Sequence, residues 1–143
     1  MDPWRADSSA SLIPTLPSLS AFPRCTLSIA RPHLPWVAPS EFYDLYPLDS
    51  VLPPKHPGFP EGAPTIAWHP GMSKSITEPL KTAETLNARR GLYATMSYVD
   101  SLVGQVLDEL DRLDFTSSTV VSFVGDHGQQ VGEHNLWVSA SEV

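Results

Sequence analysis

All fifteen prolines of this chain lie between Pro3 and Pro79, and none follows before Val143. Proline lacks a backbone donor, locks φ and pushes the residue before it towards extended geometry, so long helices and central strands are excluded where it recurs. A proline-punctuated first half is therefore expected, joined to a second half able to hold long regular elements. At 143 residues and 41% hydrophobic content there is material for one domain with one core.

In the second half, apolar residues recur at Leu86, Tyr93, Met96, Val99, Val103, Val106, Leu107, Leu110 and Leu113. Spacings of three and four predict one helix from about Thr85 to Leu113, roughly 40 Å long, with Asp100, Asp108, Glu109, Asp111 and Arg112 on its solvated face. Gly104 is read as a point of close packing, and Asp114 to Ser118 as a turn. The run Thr119-Val120-Val121-Ser122-Phe123-Val124 is then rich in β-branched and aromatic residues and reads as a buried strand. Helix followed by strand is half of an α/β repeat.

That strand ends in Gly125-Asp126-His127-Gly128. Ligands of open α/β sheets sit beyond the carboxyl ends of strands, which places Asp126 and His127 to meet one, with Gly128 allowing a sharp turn. A carboxylate suits a hard cation, and an imidazole adds a nitrogen ligand or a proton donor near neutral pH. The plainer alternative is a polar turn in which Asp126 caps a following helix. Gly132-Glu133-His134 forms a second compact polar group just downstream.

The first half offers fewer regular signals. Residues 1–25 read as an irregular Ser/Pro-rich arm, although Cys25 to Ala30 has the composition of a short strand. His33 stands between Pro32 and Pro35 with Leu34, a frame that fixes two φ angles near it; it is a ligand contact beyond a strand end or a surface loop residue. Pro39 to Tyr46 predicts one or two helical turns with Ser40 as N-cap and Phe42, Leu45 and Tyr46 as the packing face. Asp49 to Met72 is expected to be a long irregular loop; His56 and, further on, His69 lie in it without an assigned role.

Composition narrows the partners. A net charge of -7 argues against nucleic acid. No apolar run approaches the roughly 20 residues that span a bilayer, and the first ten residues have no apolar stretch like that of a signal peptide. The single cysteine, Cys25, can form no internal disulfide and no Cys-based zinc site.

Taken in order, Arg31-Pro32-His33-Leu34-Pro35-Trp36, the Pro39–Pro47 segment, the loop to Met72, Tyr93-Ala94-Thr95-Met96-Ser97-Tyr98-Val99-Asp100, and Gly125-Asp126-His127-Gly128 with Gly132-Glu133-His134 resemble type I sulfatases, and within them the iduronate-2-sulfatase group. The resemblance covers about residues 26 to 138. It implies a fragment of an alkaline-phosphatase-like α/β/α sandwich with one long helix packed on the sheet, residues 26–143 forming a partial catalytic domain. It further implies hydrolysis of sulfate esters of sugars or small molecules, Asp126 and His127 as ligands of one Ca²⁺, and His33 as a catalytic contact to the sulfate or leaving oxygen. Members of the family are lysosomal, secreted or periplasmic. The Asp-His-Gly group also occurs in phosphodiesterases and phosphonate hydrolases of the same superfamily, which is the alternative reading; a non-catalytic fragment is another.

The chain departs from the family at defined places. Cys25-Thr26-Leu27-Ser28-Ile29 does not match the Cys-x-Pro-x-Arg motif whose cysteine becomes the formylglycine nucleophile. The paired aspartates near the family's first strand are absent, and Ser139 stands about where a lysine usually follows the Gly-Glu-His stretch. A middle slice of the domain, inactive alone, is the expectation.

Overall fold

In a computed structural model of the chain, the described residues are 10–14, 24–58, 61, 62, 64 and 81–137. Their longest element is a helix of 31 residues, α2 (Thr82–Arg112), about 46 Å at 1.5 Å per residue. It starts three residues before the expected Thr85. Glu84 Oε2 accepts a hydrogen bond from Lys81 N at 2.9 Å, which satisfies a donor left over at the helix start. Bidentate bonding of Arg112 to Glu109 at 2.7 and 2.6 Å lies in the last turn, where a cation faces the carbonyl end. Asp114 then takes φ 58°, reversing the chain into a single 3-10 turn, Thr116–Ser118.

Before α2 come β1 (Ala10–Pro14), β2 (Cys25–Ile29) and α1 (Ser40–Asp44). β1 lies inside the stretch expected to be irregular and pairs antiparallel with β2, Ala10 opposite Ile29 and Pro14 opposite Cys25. The strand reading of Cys25 to Ala30 holds. Ser40 is the first helical residue rather than the cap; Pro39 occupies the cap position and no side chain closes it.

α1 is docked on α2 by aromatic packing and by charge-assisted bonds. Phe42 meets Tyr98 and Tyr46 meets Tyr93, with ring centroids 5.3 and 5.6 Å apart. Arg90 donates to the carbonyls of Tyr46 and Tyr43 at 2.7 and 3.0 Å, satisfying acceptors at and just beyond the end of α1, and its guanidinium lies over the Tyr43 ring. Tyr46 Oη and Ser97 Oγ share a hydrogen bond of 2.7 Å. Leu45, expected on this face, points outward instead: a turn of five residues presents only one side to α2.

Among the described residues, the buried apolar ones are Ala38, Val51, Leu92, Ala94, Val131 and Leu136. On α2 the buried set is Thr85, Arg89, Gly91, Leu92, Ala94 and Thr95, all in its first half. The apolar stripe continues along the helix, but Met96, Val106 and Leu107, with Leu113 just past the helix end, are exposed. The acidic face is exposed as expected.

Two expectations are corrected here. Thr119 to Val124 is neither buried nor paired into a sheet: Val120 is 97% exposed, Val121 58%, Phe123 76% and Val124 81%. Its composition favours a strand, but a strand needs a neighbouring ladder, and the strands among the described residues pair only with each other. The sheet expected under α2 is thus not found among the described residues. Gly104 is not a packing glycine either, since a Cβ there would meet nothing within 4 Å; the close approach is at Gly91, where Trp36 Cβ would lie 3.5 Å away. Gly104→Ala is therefore expected to stabilise the chain by about 0.5–1 kcal/mol through helix propensity, read as a higher urea midpoint at unchanged slope. Val138 to Val143, with Ser139, and His69 lie outside the described residues.

Candidate active site

Asp126 and His127 sit side by side where the extended run ends. Asp126 Oδ1 accepts a hydrogen bond from the His127 backbone N–H at 3.0 Å, and Oδ2 lies 3.7 Å from His127 Nε2. The aspartate is 91% exposed and the histidine 20%, so one is presented to solvent and the other is held. His127 Nδ1 is 3.0 Å from the Gly128 carbonyl. A carbonyl only accepts, so Nδ1 donates in this bond and Nε2 is the ring nitrogen on the side of Asp126. A backbone carbonyl holding Nδ1–H in this way is the usual orienting partner of a metal-binding imidazole. Among the described residues no α-helix follows for Asp126 to cap; the next helical turn is a single 3-10 turn, Glu133–Asn135.

His33 has the same local arrangement. Its Nδ1 is 2.8 Å from the Leu34 carbonyl, and its backbone N–H donates to Ala30 at 3.0 Å. The Arg31–Pro32 and Leu34–Pro35 peptide bonds are both cis, and Arg31 reaches across the turn to the Pro35 carbonyl at 2.6 Å. His33 is exposed. The structure joins Asp126 to His127, but among the described residues no hydrogen bond or ion pair links His33 to either, and no group of three His, Cys, Asp or Glu side chains converges. Cys25 is a free, exposed thiol on β2.

What anchors the loop after His127 is a residue without an expected role. Arg89, on α2, is 91% buried and donates to Glu133 Oε1 at 2.6 Å, to the Val131 carbonyl at 2.9 Å and to Tyr93 Oη at 2.9 Å. Val131 N–H donates to Glu133 Oε2 at 3.1 Å. Burial opposes the charge on both groups. Yet the bond to Glu133 and the field of Tyr93 raise the Arg89 pKa above its ordinary value. Likewise Arg89 and backbone N–H donors hold the Glu133 carboxyl below its ordinary range despite burial.

The same loop is pinned from its other side. Gly132 takes φ 101°, and a Cβ there would lie 3.0 Å from Trp137 Cζ2 and 3.1 Å from Pro54 Cγ. His134 N–H donates to the His56 carbonyl at 2.6 Å, and the two imidazoles stack with centroids 6.3 Å apart. His56, left without a role by the sequence, thus braces this loop from the 51–58 segment. Arg89 left one trace in the sequence: a charge three residues after Leu86 and four before Tyr93, on the apolar stripe. A cation in that position is buried and must be paired.

Comparison with known proteins gives this geometry a frame. Residues 26–142 match the family model described as "Sulfatase". The chain is 33% identical to human iduronate 2-sulfatase over 123 residues, covering 78% of this chain and 22% of that protein. It is 30% identical to a sulfatase of Formosa agariphila over 126 residues, 81% of this chain and 25% of the relative. It is 32% identical to the choline-sulfatase of Rhizobium meliloti over 114 residues, 78% and 22% of the two chains. The chain spans about a quarter or less of the length of each of these relatives. The match runs from the strand before His33, through α2, past the Asp126–His127 pair and its Arg89 anchor, and on that continuous span the chain belongs to the sulfatase family.

Proposed function

We propose that this chain carries part of a calcium-dependent sulfate-ester hydrolase site, similar to that of the iduronate 2-sulfatases, and that it is catalytically silent alone. The observation that carries the reading is the Asp126–His127 couple, with its carboxylate exposed and its imidazole held through Nδ1 by the Gly128 carbonyl, inside a family match that covers residues 26–142. The donor set fits part of a hard-cation site: Asp126 supplies oxygen and His127 one oriented nitrogen. A bound Ca²⁺ would offset negative charge on the sulfuryl oxygens. His33, with Nδ1 engaged and Nε2 free, is suited to face the ester oxygen and hold a proton there. The substrate class is a sulfated sugar or small-molecule ester, and the α/β/α sandwich of the superfamily is the fold into which the segment fits. Among the described residues no helix is long and apolar enough to cross a membrane.

Silence follows from what the chain's residues do not supply. Two donors fall short of the six to eight that calcium ordinarily takes. Cys25 does not begin the nucleophile motif. Calorimetric titration with Ca²⁺ should therefore give weak binding, about millimolar as for loosely built sites, that disappears in Asp126→Ala. With an aryl sulfate and Ca²⁺ present, turnover should not exceed that of His33→Ala. Heat that is unchanged in Asp126→Ala would sink the metal assignment, and turnover abolished by His33→Ala would sink the silence.

A further inference from the structure

Arg89 and Arg90 are consecutive on α2, yet they hold two segments that lie far apart in the sequence. Neighbouring residues of a helix point about 100° apart, so their side chains reach different flanks at nearly one level. On one flank Arg89 takes the Val131 carbonyl and the Glu133 carboxylate at 2.9 and 2.6 Å, which fixes the chain four residues after His127. On another, Arg90 takes the Tyr46 and Tyr43 carbonyls at 2.7 and 3.0 Å and holds the end of α1. From α1 the tie runs on to the His33 turn. Tyr43 Oη donates to the Trp36 carbonyl at 2.9 Å, and Arg31 closes the turn by donating to the Pro35 carbonyl at 2.6 Å. Trp36 also lies directly on the helix at the next residue, since a Cβ on Gly91 would be 3.5 Å from Trp36 Cβ.

Neither His33 nor the Asp126–His127 couple stands on a helix or strand. Groups carried by loops keep a precise spacing only if the loops are fixed to something stiff. Here both are fixed to the same turn of a 31-residue helix. The Pro54 and His56 contacts brace the later loop against the 51–58 segment, which follows α1 in the chain. Arginine suits the task, because its planar fork takes two acceptors at once and so fixes direction as well as distance. We propose that Arg89 and Arg90 are positioning residues that together set the spacing between His33 and the Asp126–His127 couple. What that spacing serves rests on the sulfatase reading; a misplacement of about 1 Å between reacting groups can cost a hundredfold in rate.

Spin labels on Leu34→Cys and Gln130→Cys, both exposed positions, in a Cys25→Ser background report the spacing by pulsed dipolar spectroscopy. One narrow distance distribution is expected. Arg89→Lys and Arg90→Lys should each replace it with a broad one, because an ammonium keeps the charge and loses the fork. Arg112→Lys, at the far end of the same helix, should leave it narrow. Helical circular dichroism should be unchanged in all three, which separates lost spacing from lost fold. A distribution that stays narrow in either of the first two variants overturns the proposal, and a lowered urea midpoint beside it would mark those arginines as stabilisers only. Calorimetric titration with Ca²⁺ keeps the two readings apart. Heat that Asp126→Ala removes should be weakened about tenfold in Arg89→Lys, the lower end for a partner that acts through other groups. Absence of heat in the natural chain counts against the sulfatase reading alone, since the label distances decide the spacing without it.

Discussion

Glu133→Ala is expected to cost about 2–3 kcal/mol of unfolding free energy, and adding Arg89→Met to it should recover a large part of that loss. The asymmetry is the point. Arg89 has a side chain only 10% exposed, so removing Glu133 strands a guanidinium with the Val131 carbonyl and Tyr93 Oη as its acceptors. Losing one member of a buried pair typically costs about 3–5 kcal/mol. Glu133 is 38% exposed and water reaches its carboxylate, so the lower part of the scale applies and Arg89→Met alone should cost less than Glu133→Ala. Urea unfolding of the two single variants and the double variant closes the cycle. Costs that simply add would mean that the two groups do not depend on each other, contrary to the 2.6 Å contact.

The same pair sets an acid limit. The folded carboxyl of Glu133 lies below its ordinary value of 4.5, so its contribution is fully present above that value and is lost as pH falls through the lower folded pKa. Stability of the natural chain should therefore fall more steeply below about pH 4.5 than that of Glu133→Ala. Arg89 shifts further upward from its already basic range and adds no slope in the acid range.

This anchor also marks where sequence reading stops. The length and face of α2 are legible because a 3.6-residue period is a local property, repeated over 31 residues. The strand composition of Thr119 to Val124 is equally local, but burial is not; it depends on elements far along a chain, and the residue string does not say whether they are present. Asp126 and His127 are picked out in the sequence by the strand-like run that precedes them, although that run is not a strand among the described residues. Arg89 does not stand out, since a lone arginine on a helix is ordinarily solvated and only its position on the apolar stripe betrays it. Glycine shows the same limit. Gly104, Gly91 and Gly132 look alike in the sequence, yet one faces open space, one faces Trp36 and one is wedged between two rings.

Gly132→Ala should be about as damaging as loss of the ion pair, at about 2–4 kcal/mol, and by a different route. At φ 101° an L side chain is strained wherever it points. Here the new Cβ would also sit 3.0 Å from the Trp137 indole and 3.1 Å from the Pro54 ring, two rigid groups that cannot bend aside as a lysine tip does. The loop must shift as a unit, and what it releases are the bonds from Gly132 N–H to the Leu136 carbonyl at 2.8 Å and from His134 N–H to the His56 carbonyl at 2.6 Å. Few of the described residues bury the far half of α2, so the loss should appear as local opening ahead of global unfolding. Amide exchange at Gly132 and His134 should accelerate about a hundredfold, the equivalent of roughly 3 kcal/mol, while amides in the first half of α2 change little. Gly128→Ala is the internal comparison: a Cβ there meets nothing within 4 Å, φ is not positive, and exchange should barely move. If both variants behave alike, the wedge between Trp137 and Pro54 does not hold the loop, and the Asp126–His127 couple would then owe its setting to Arg89 alone.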